Sequence, residues 1–571
     1  MIRRCAFARA LELVRRSGVH HELEALLRPS GKGGRPRQLG VDVFLAGLLC
    51  TVAEKRTLAL TLLHELLTRD LARSYQVALG IRKGIRAITL RQVRYLLEAI
   101  ESKLAFTEDR EPELSEVDRE ERKAALQAVF DHLLAATMPT HLRSTGAYAL
   151  DDSGIDSAAR GKRRPKPLAA PAAVGASASA GEAEPSEVGL NGREVADEAL
   201  ATLTAETGYS FDVDARWGYR TRTYDNRTNK LFGYKLVSLT RLAPQDSKAD
   251  LPLLVERISL VPANASTVAP ALGLIDGLLA GGAPVTELAD DRGFSYALPE
   301  HWSYELRSRG IEQICDLHKN DHGVHDLEGV KMIDGWAHCP MTLEHLEVIP
   351  RPAQLSVPRL KKNATPTERA EHAERARELE EFRAAIAERK TWAFRRTRGA
   401  DANGTERFEC PAQAGIRICA NCPVFQFLPP GTPRVENPPE RDTAPKACGQ
   451  RTIGVPGDVM PKIRQRHYWG SDAWIAAYIR RSRVEGAFGT LKSSKTENVR
   501  RGWTHVVGLV KTGLIVVIAQ AAANLRCLRA WAARTGDRTD SLTRLDPEDH
   551  GFEEIDPAAA LPASTGPPAA A

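Results

Sequence analysis

The sequence predicts an α/β fold: a sheet layered with helices, preceded by a helical N-terminal region and interrupted by a large cysteine-bearing insertion. Three features lead there. Leucines recur at helical spacing between residues 41 and 104. Short apolar runs alternate with helical stretches between residues 146 and 316, the rhythm of a sheet covered by helices. Two of those runs end on acid pairs, Asp151-Asp152 and Asp290-Asp291, which places acids at strand ends.

Residues 1–140 read as a helical DNA-binding region. The first forty residues carry nine Lys or Arg against Glu12, Glu22 and Glu24. Gly-Gly-Arg-Pro-Arg at 33–37 has the form of an AT-hook core, an extended arm that would place Arg35 and Arg37 in a minor groove; a basic linker is the alternative. Val41–Arg73 is helical from Leu45, Leu48, Leu49, Leu60, Leu63, Leu66 and Leu67. Thr89-x-x-Gln92 is a capping box that opens a helix to Leu104, with Leu90, Val93, Leu97 and Ile100 inward and Arg91 and Arg94 outward. That face suits DNA, though a purely structural cap has the same pattern.

Residues 141–316 form the first part of the α/β core. Gly146–Asp151 is expected to be a strand ending in an acid. Residues 157–197, rich in Ala, Pro, Gly and Ser, cannot bury a core and read as a disordered insertion. Strands are expected at Ala215–Thr223 and Phe232–Leu242, with a turn at Asp225-Asn226. A helix follows at Thr267–Ala280, a strand at Pro284–Ala289, a helix at Tyr296–Arg309 and a strand at Ile311–Asp316. Residues 317–457 break the rhythm. Their one clear element is a charged helix to about Lys390, opened by the capping box Thr365-Pro366-Thr367-Glu368. Residues 458–535 return to the core and close it with an amphipathic helix, Val506–Ala533. Residues 536–571 are a disordered tail.

The chemistry concentrates in Ala477–Lys492. At about 100° per residue of a helix, Tyr478, Arg481, Glu485 and Lys492 fall within an arc of roughly 60°. Ala477, Val484, Phe488 and Leu491 form an apolar stripe beside them, which Arg480 interrupts. Gly486 and Gly489 flank the polar row, where glycine would admit a close backbone. A solvated helix with an ordinary Arg481–Glu485 pair would show the same row. From Arg480 to Lys511 the chain holds eight basic residues against Glu485 and Glu497, a patch that attracts polyanions, whereas the whole chain is only +6.

Tyr-x2-Arg-x3-Glu-x6-Lys, here Tyr478, Arg481, Glu485 and Lys492, resembles the motif of the DDE transposases of bacterial insertion sequences of the insertion sequence four type. Leu150-Asp151-Asp152-Ser153 resembles that family's first acid block and Asp291-Arg292-Gly293-Phe294 its second. Phe232-Gly233-Tyr234-Lys235-Leu236 and Val261-Pro262-Ala263-Asn264 resemble segments between them. The likeness covers about residues 146–316 and 468–531. It implies an RNase H-like mixed sheet flanked by helices, with the 317–457 region as an insertion after the fifth strand.

What the resemblance implies for function is a DDE transposase that binds transposon ends, cleaves phosphodiester bonds and joins the 3′-OH ends to target DNA. Asp151, Asp291 and Glu485 would be catalytic and hold a pair of Mg²⁺ (or Mn²⁺) ions. Tyr478, Arg481 and Lys492 would contact the double-stranded DNA, and a dimer would act on two ends together. Asp152 and Asp290 compete with their neighbours, but adjacent strand residues face opposite ways, and the spacing to Ser153 and Gly293 favours Asp151 and Asp291. An inactive DNA-binding relic and a nuclease without strand transfer are the rivals.

Cys410-x8-Cys419-x2-Cys422-x25-Cys448 could form a structural thiolate zinc site; packed free thiols are the alternative, and Cys339, His318, His322 and His325 are competing ligands. The N-terminus lacks the apolar core of a secretory signal, and Gly513–Ala523 is too short to cross a bilayer. A soluble, cytoplasmic, nucleoid-associated bacterial protein with no membrane partner is expected.

Overall fold

A computed structural model describes residues 4–28, 37–53, 58–81, 87–142, 144–161, 210–219, 230–245, 250–401, 404–421, 428–440 and 442–543. The region 157–197 falls almost wholly outside these, as do Asp225-Asn226 and the tail beyond residue 543.

Among the described residues, seven helices come first: α1 (Arg4–Ser17), α2 (Val19–Leu26), α3 (Val41–Ala53), α4 (Leu60–Glu65), α5 (Arg73–Ala78), α6 (Leu90–Leu104) and α7 (Glu116–Ala135). The expected Val41–Arg73 helix is therefore divided, and α4 passes into a wider π turn at Leu66–Asp70. The capping box that opens α6 forms: Thr89 and Gln92 exchange hydrogen bonds. Val93, Leu97 and Ile100 are buried, and Arg91 and Arg94 exposed.

The central six-stranded sheet is mixed. It contains β1 (Ala147–Asp156), β2 (Arg216–Tyr219), β3 (Lys230–Arg241), β4 (Val255–Pro262), β5 (Glu287–Asp290) and β6 (Glu312–Ile314), in the order β2-β3-β1-β5-β6 with β4 also on β3. β3 is antiparallel to β1, β2 and β4, whereas β1, β5 and β6 run parallel. Along β3, Lys230–Gly233 pairs with β2 and Tyr234–Thr240 with β4. Gly233 sits at that changeover with φ of 156°, where a Cβ would collide with the Ile155 carbonyl oxygen. Only glycine lets β1 and β3 approach there.

β1 overruns the predicted end at Asp151 by five residues, because its partner β3 is long enough to pair as far as Asp156↔Gly233. Strand alternation then sends its side chains to two cores. Tyr148 and Leu150 join Val237, Leu239 and Leu288 against α8 (Val268–Ala280) and Trp302. Ala147 and Ala149 face the other way, into a core shared by the N-terminal helices, α14 (Ser482–Lys492) and α15 (Leu509–Thr535). The N-terminal helices are thus built into this core.

The expected helix Tyr296–Arg309 is broken. Pro299 opens a 3₁₀ turn between α9 (Arg292–Ser295) and α10 (Ser303–Ser308), as a ring without an N–H interrupts the ladder. Within 317–457 lie two three-stranded sheets the sequence did not signal: β7 (Val324–Leu327), β8 (Val330–Ile333), β9 (Trp336–His338), and β10 (Arg395–Arg398), β11 (Glu406–Glu409), β12 (Thr452–Val455). Between them runs the predicted charged helix, α11 (Pro366–Lys390), with its Thr365–Glu368 capping box; the short α12 (Lys446–Gly449) precedes β12. A buried polar cluster fastens this region to the core: Arg389 pairs with Asp334 at 2.7 Å and donates to Tyr468 Oη at 2.9 Å, and His338 Nε2 lies 2.7 Å from the same hydroxyl.

α15 is long and apolar enough to span a membrane, but most of it is buried within the protein. It is apolar nearly all round, as a core helix must be, rather than amphipathic. Its first amides are capped from afar. Asp212 Oδ1 accepts from Gly508 N at 3.0 Å and Asp214 Oδ2 from Leu509 N at 2.9 Å. Two buried carboxylates thereby meet the positive end of the longest helix.

Candidate active site

Parallel pairing of β1 with β5 aligns Leu150 with Asp290, so the next residues, Asp151 and Asp291, come side by side where β5 ends. Alternation separates each acid pair. Asp290 is fully buried and accepts from Trp302 Nε1 and Gln313 Nε2, each at 2.8 Å. Asp152 Oδ2 instead accepts from Thr267 Oγ1 at 3.2 Å. Asp151 and Asp291 are left facing α14.

The stretch 477–492 is not one helix. α13 (Asp472–Tyr478) ends in a 3₁₀ turn at Ile479–Arg481, and α14 follows. The apolar stripe is buried as its pattern predicts: Ala477, Val484, Phe488 and Leu491 all lie in the core. Arg480 does not spoil it. Its guanidinium leaves the stripe to pair with Glu287 on β5 and to donate to the Ala243 carbonyl at 2.7 Å, which pins the turn to the sheet. The flanking glycines admit no close backbone: a Cβ at Gly486 would rest 3.6 Å from Leu253, and at Gly489 it would meet nothing.

Arg481 is the centre of the arrangement. Nη1 lies 3.2 Å from Asp151 Oδ2 and 3.8 Å from Asp291 Oδ1, and Nη2 lies 2.6 Å from Glu485 Oε1. The three acids named from sequence therefore gather on one guanidinium. Exposure is graded across them, from 17% at Asp151 to 42% at Asp291 and 55% at Glu485, so the cluster opens to solvent on the α14 side. Burial, reinforced by the Asp291 charge, pushes the Asp151 carboxyl up to about 7 against the opposing pull of Arg481. Burial works against the charge of Arg481, but Tyr478, Asp291, Asp151 and Glu485 outweigh it and hold the guanidinium protonated.

No known family model, curated protein or solved structure matches this chain.

The other residues of the row are placed differently from a DNA-facing edge. Tyr478 is 7% exposed and stacks on Trp474 with ring centres 5.0 Å apart, so its ring is packing rather than a free platform. Lys492 turns inward, donating to Ser153 Oγ and to the Gly154 carbonyl, both at 2.7 Å. The exposed cations lie just beyond it: Lys495, Arg500 and Arg501. Of the proposed minor-groove arm, Arg35 falls outside the described residues and Arg37 is paired with Glu24.

The carboxylates suit a hard divalent cation by their donor chemistry. Among the described residues, however, no three His, Cys, Asp or Glu side chains stand as a ready metal-binding group. At the acid cluster, the Arg481 guanidinium lies among the three carboxylates. Of the four cysteines proposed for zinc, Cys422 falls outside the described residues, and Cys410, Cys419 and Cys448 form no disulfide among the described residues. Burial pushes the Cys339 thiol up to about 12, with Cys410, Cys448 and Cys419 adding to the shift, so these thiols share a neighbourhood.

Sequence reasoning missed Arg480, Ser153, Asp212 and Asp214. Arg480 carried a signal, since a charge breaking an apolar stripe needs a partner. The two aspartates carried none, because the helix they cap begins almost three hundred residues later.

Proposed function

We propose that the chain is a metal-dependent DNA strand-transfer enzyme of the DDE transposase class on an RNase H-like core. One observation carries the reading: acids from β1, from the end of β5 and from α14 meet at a single cation. A mixed sheet with helices on both faces, the fold that the resemblance implies, supports it. Asp151, Asp291 and Glu485 would hold Mg²⁺ or Mn²⁺, which supplies activation of the attacking oxygen and stabilisation of the leaving one. The protein's own part is positional. β1 and β5 fix two carboxylates at neighbouring strand positions, and Arg480 and Lys492 lock α14 against the sheet so that Glu485 completes the set. Lys495, Arg500 and Arg501 would hold the DNA backbone beside the acids. Cutting two ends together calls for at least two copies of the chain, acting on DNA in the cytoplasm.

The test is to incubate the purified protein with duplexes taken from the borders of its gene, a target plasmid and Mg²⁺. Joined product is expected, and Glu485→Gln should abolish cleavage while duplex binding persists. Cleavage without joining would identify a nuclease, and binding without either reaction an inactive DNA-binding protein.

A further inference from the structure

We propose that Arg481 is a built-in counter-cation: it closes the acid cluster in the free protein and yields it to divalent metal only when a DNA phosphate draws the guanidinium away. This rests on reading Asp151, Asp291 and Glu485 as metal ligands. Arg481 Nη1 and Nη2 reach oxygens of all three, and the side chain is only 16% exposed. A metal held by these carboxylates would compete with the guanidinium for their oxygens and be repelled by its charge. Three carboxylates brought this close need a neutralising charge in the absence of metal. Arginine suits the task because it has donors only and stays protonated, so it leaves by displacement and not by losing a proton.

Two further features suit a residue that moves. Arg481 ends the 3₁₀ turn between α13 and α14, a backbone form that often marks a hinge within a helix. Its Nε is buried with no hydrogen-bond partner, so the closed position leaves one donor unsatisfied. A phosphodiester offers a guanidinium two parallel hydrogen bonds, a better match than three separate carboxylates. Exposed Lys495, Arg500 and Arg501 would bring that backbone in. DNA and metal binding are then coupled: each favours the open position of one side chain, and each should raise the affinity for the other.

The experiment measures Mn²⁺ binding by the electron paramagnetic resonance signal of the free ion, with and without a mixed-sequence duplex of about 30 base pairs, long enough to cover the basic strip. Without DNA, Arg481→Ala should bind Mn²⁺ about tenfold more tightly than the wild type or better. Adding duplex should tighten the wild type and leave Arg481→Ala unchanged. Arg481→Met, which keeps the aliphatic stem, replaces the alanine variant if that one does not fold. Equal or weaker Mn²⁺ binding by the variant without DNA overturns the proposal. A separate control concerns the ligands themselves. If Asp151→Asn in the Arg481→Ala background leaves Mn²⁺ binding intact, the ion sits elsewhere, and it is the reading of the acids that fails.

Discussion

Lys492 Nζ donates to Ser153 Oγ at 2.7 Å, tying the last turn of α14 to the strand that carries Asp151. The lysine expected to grip DNA is thus an internal strut, and it also reaches the Gly154 carbonyl. Lys492→Met should lower stability by about 1–3 kcal/mol, since it leaves two half-buried acceptors without their charged donor. Denaturant unfolding measures that loss. Duplex affinity should keep nearly its full salt dependence, and a drop in slope as large as that from an exposed cation would contradict the assignment.

The exposed pair Arg500 and Arg501 is where the salt dependence should reside. Replacing both with alanine should reduce the slope of log K against log salt by about 2. Fluorescence anisotropy across a salt series reads this directly. An unchanged slope would move the DNA path away from the loop after α14.

Asp214 should matter far more than an acid remote from the cluster would suggest. It is 2% exposed and accepts from Leu509 N at 2.9 Å, Arg110 Nε at 3.0 Å and Thr107 Oγ1 at 2.5 Å. Asp214→Ala removes one of the two carboxylates on Arg110, which keeps Glu101 at 3.4 Å, and uncaps α15 together, with an expected cost of about 2–4 kcal/mol. A thermal shift within experimental scatter would exclude the capping role.

His338 gives the fold an acid sensitivity of known sign. Burial first, then the neighbouring Arg389 charge, lowers its imidazole to about 3. In the unfolded chain a histidine protonates near its ordinary value of about 6.5, so between those values the unfolded state binds more protons. The stability that neutral His338 contributes is present above about pH 6.5 and is lost as pH falls towards 3, by up to about 1.4 kcal/mol per pH unit. His338→Gln should flatten stability between pH 6.5 and 5, as followed by chemical denaturation; an equally steep loss in the variant would place the sensitivity elsewhere.

Some of the molecule was legible because its causes are local. A capping box closes within four residues, so Thr89–Gln92 and Thr365–Glu368 announce α6 and α11 without help from the fold. Burial of Val484, Phe488 and Leu491 follows from helical spacing alone. Alternation likewise foretold that Asp151 and Asp152 must diverge, as must Asp290 and Asp291. Other features carried no local mark. The small sheets within 317–457 are built from strands of three or four residues, too short for a period to emerge. β1 extends through Asp-Asp-Ser-Gly only because β3 lies beside it.

By itself, then, the sequence determined where the capped helices α6 and α11 begin, which residues of the 477–492 stretch are apolar and buried, and which acids and cations are available to cluster. The tertiary structure alone decided how those charges are used. Arg481 meets Asp151 across 330 residues, Arg480 meets Glu287 across 193, and Lys492 meets Ser153 across 339. The physical reason is range. Backbone preference and hydrophobic period act over a few neighbours, whereas the partner of a charged side chain is whatever group a distant strand register and helix packing bring within about 4 Å of it.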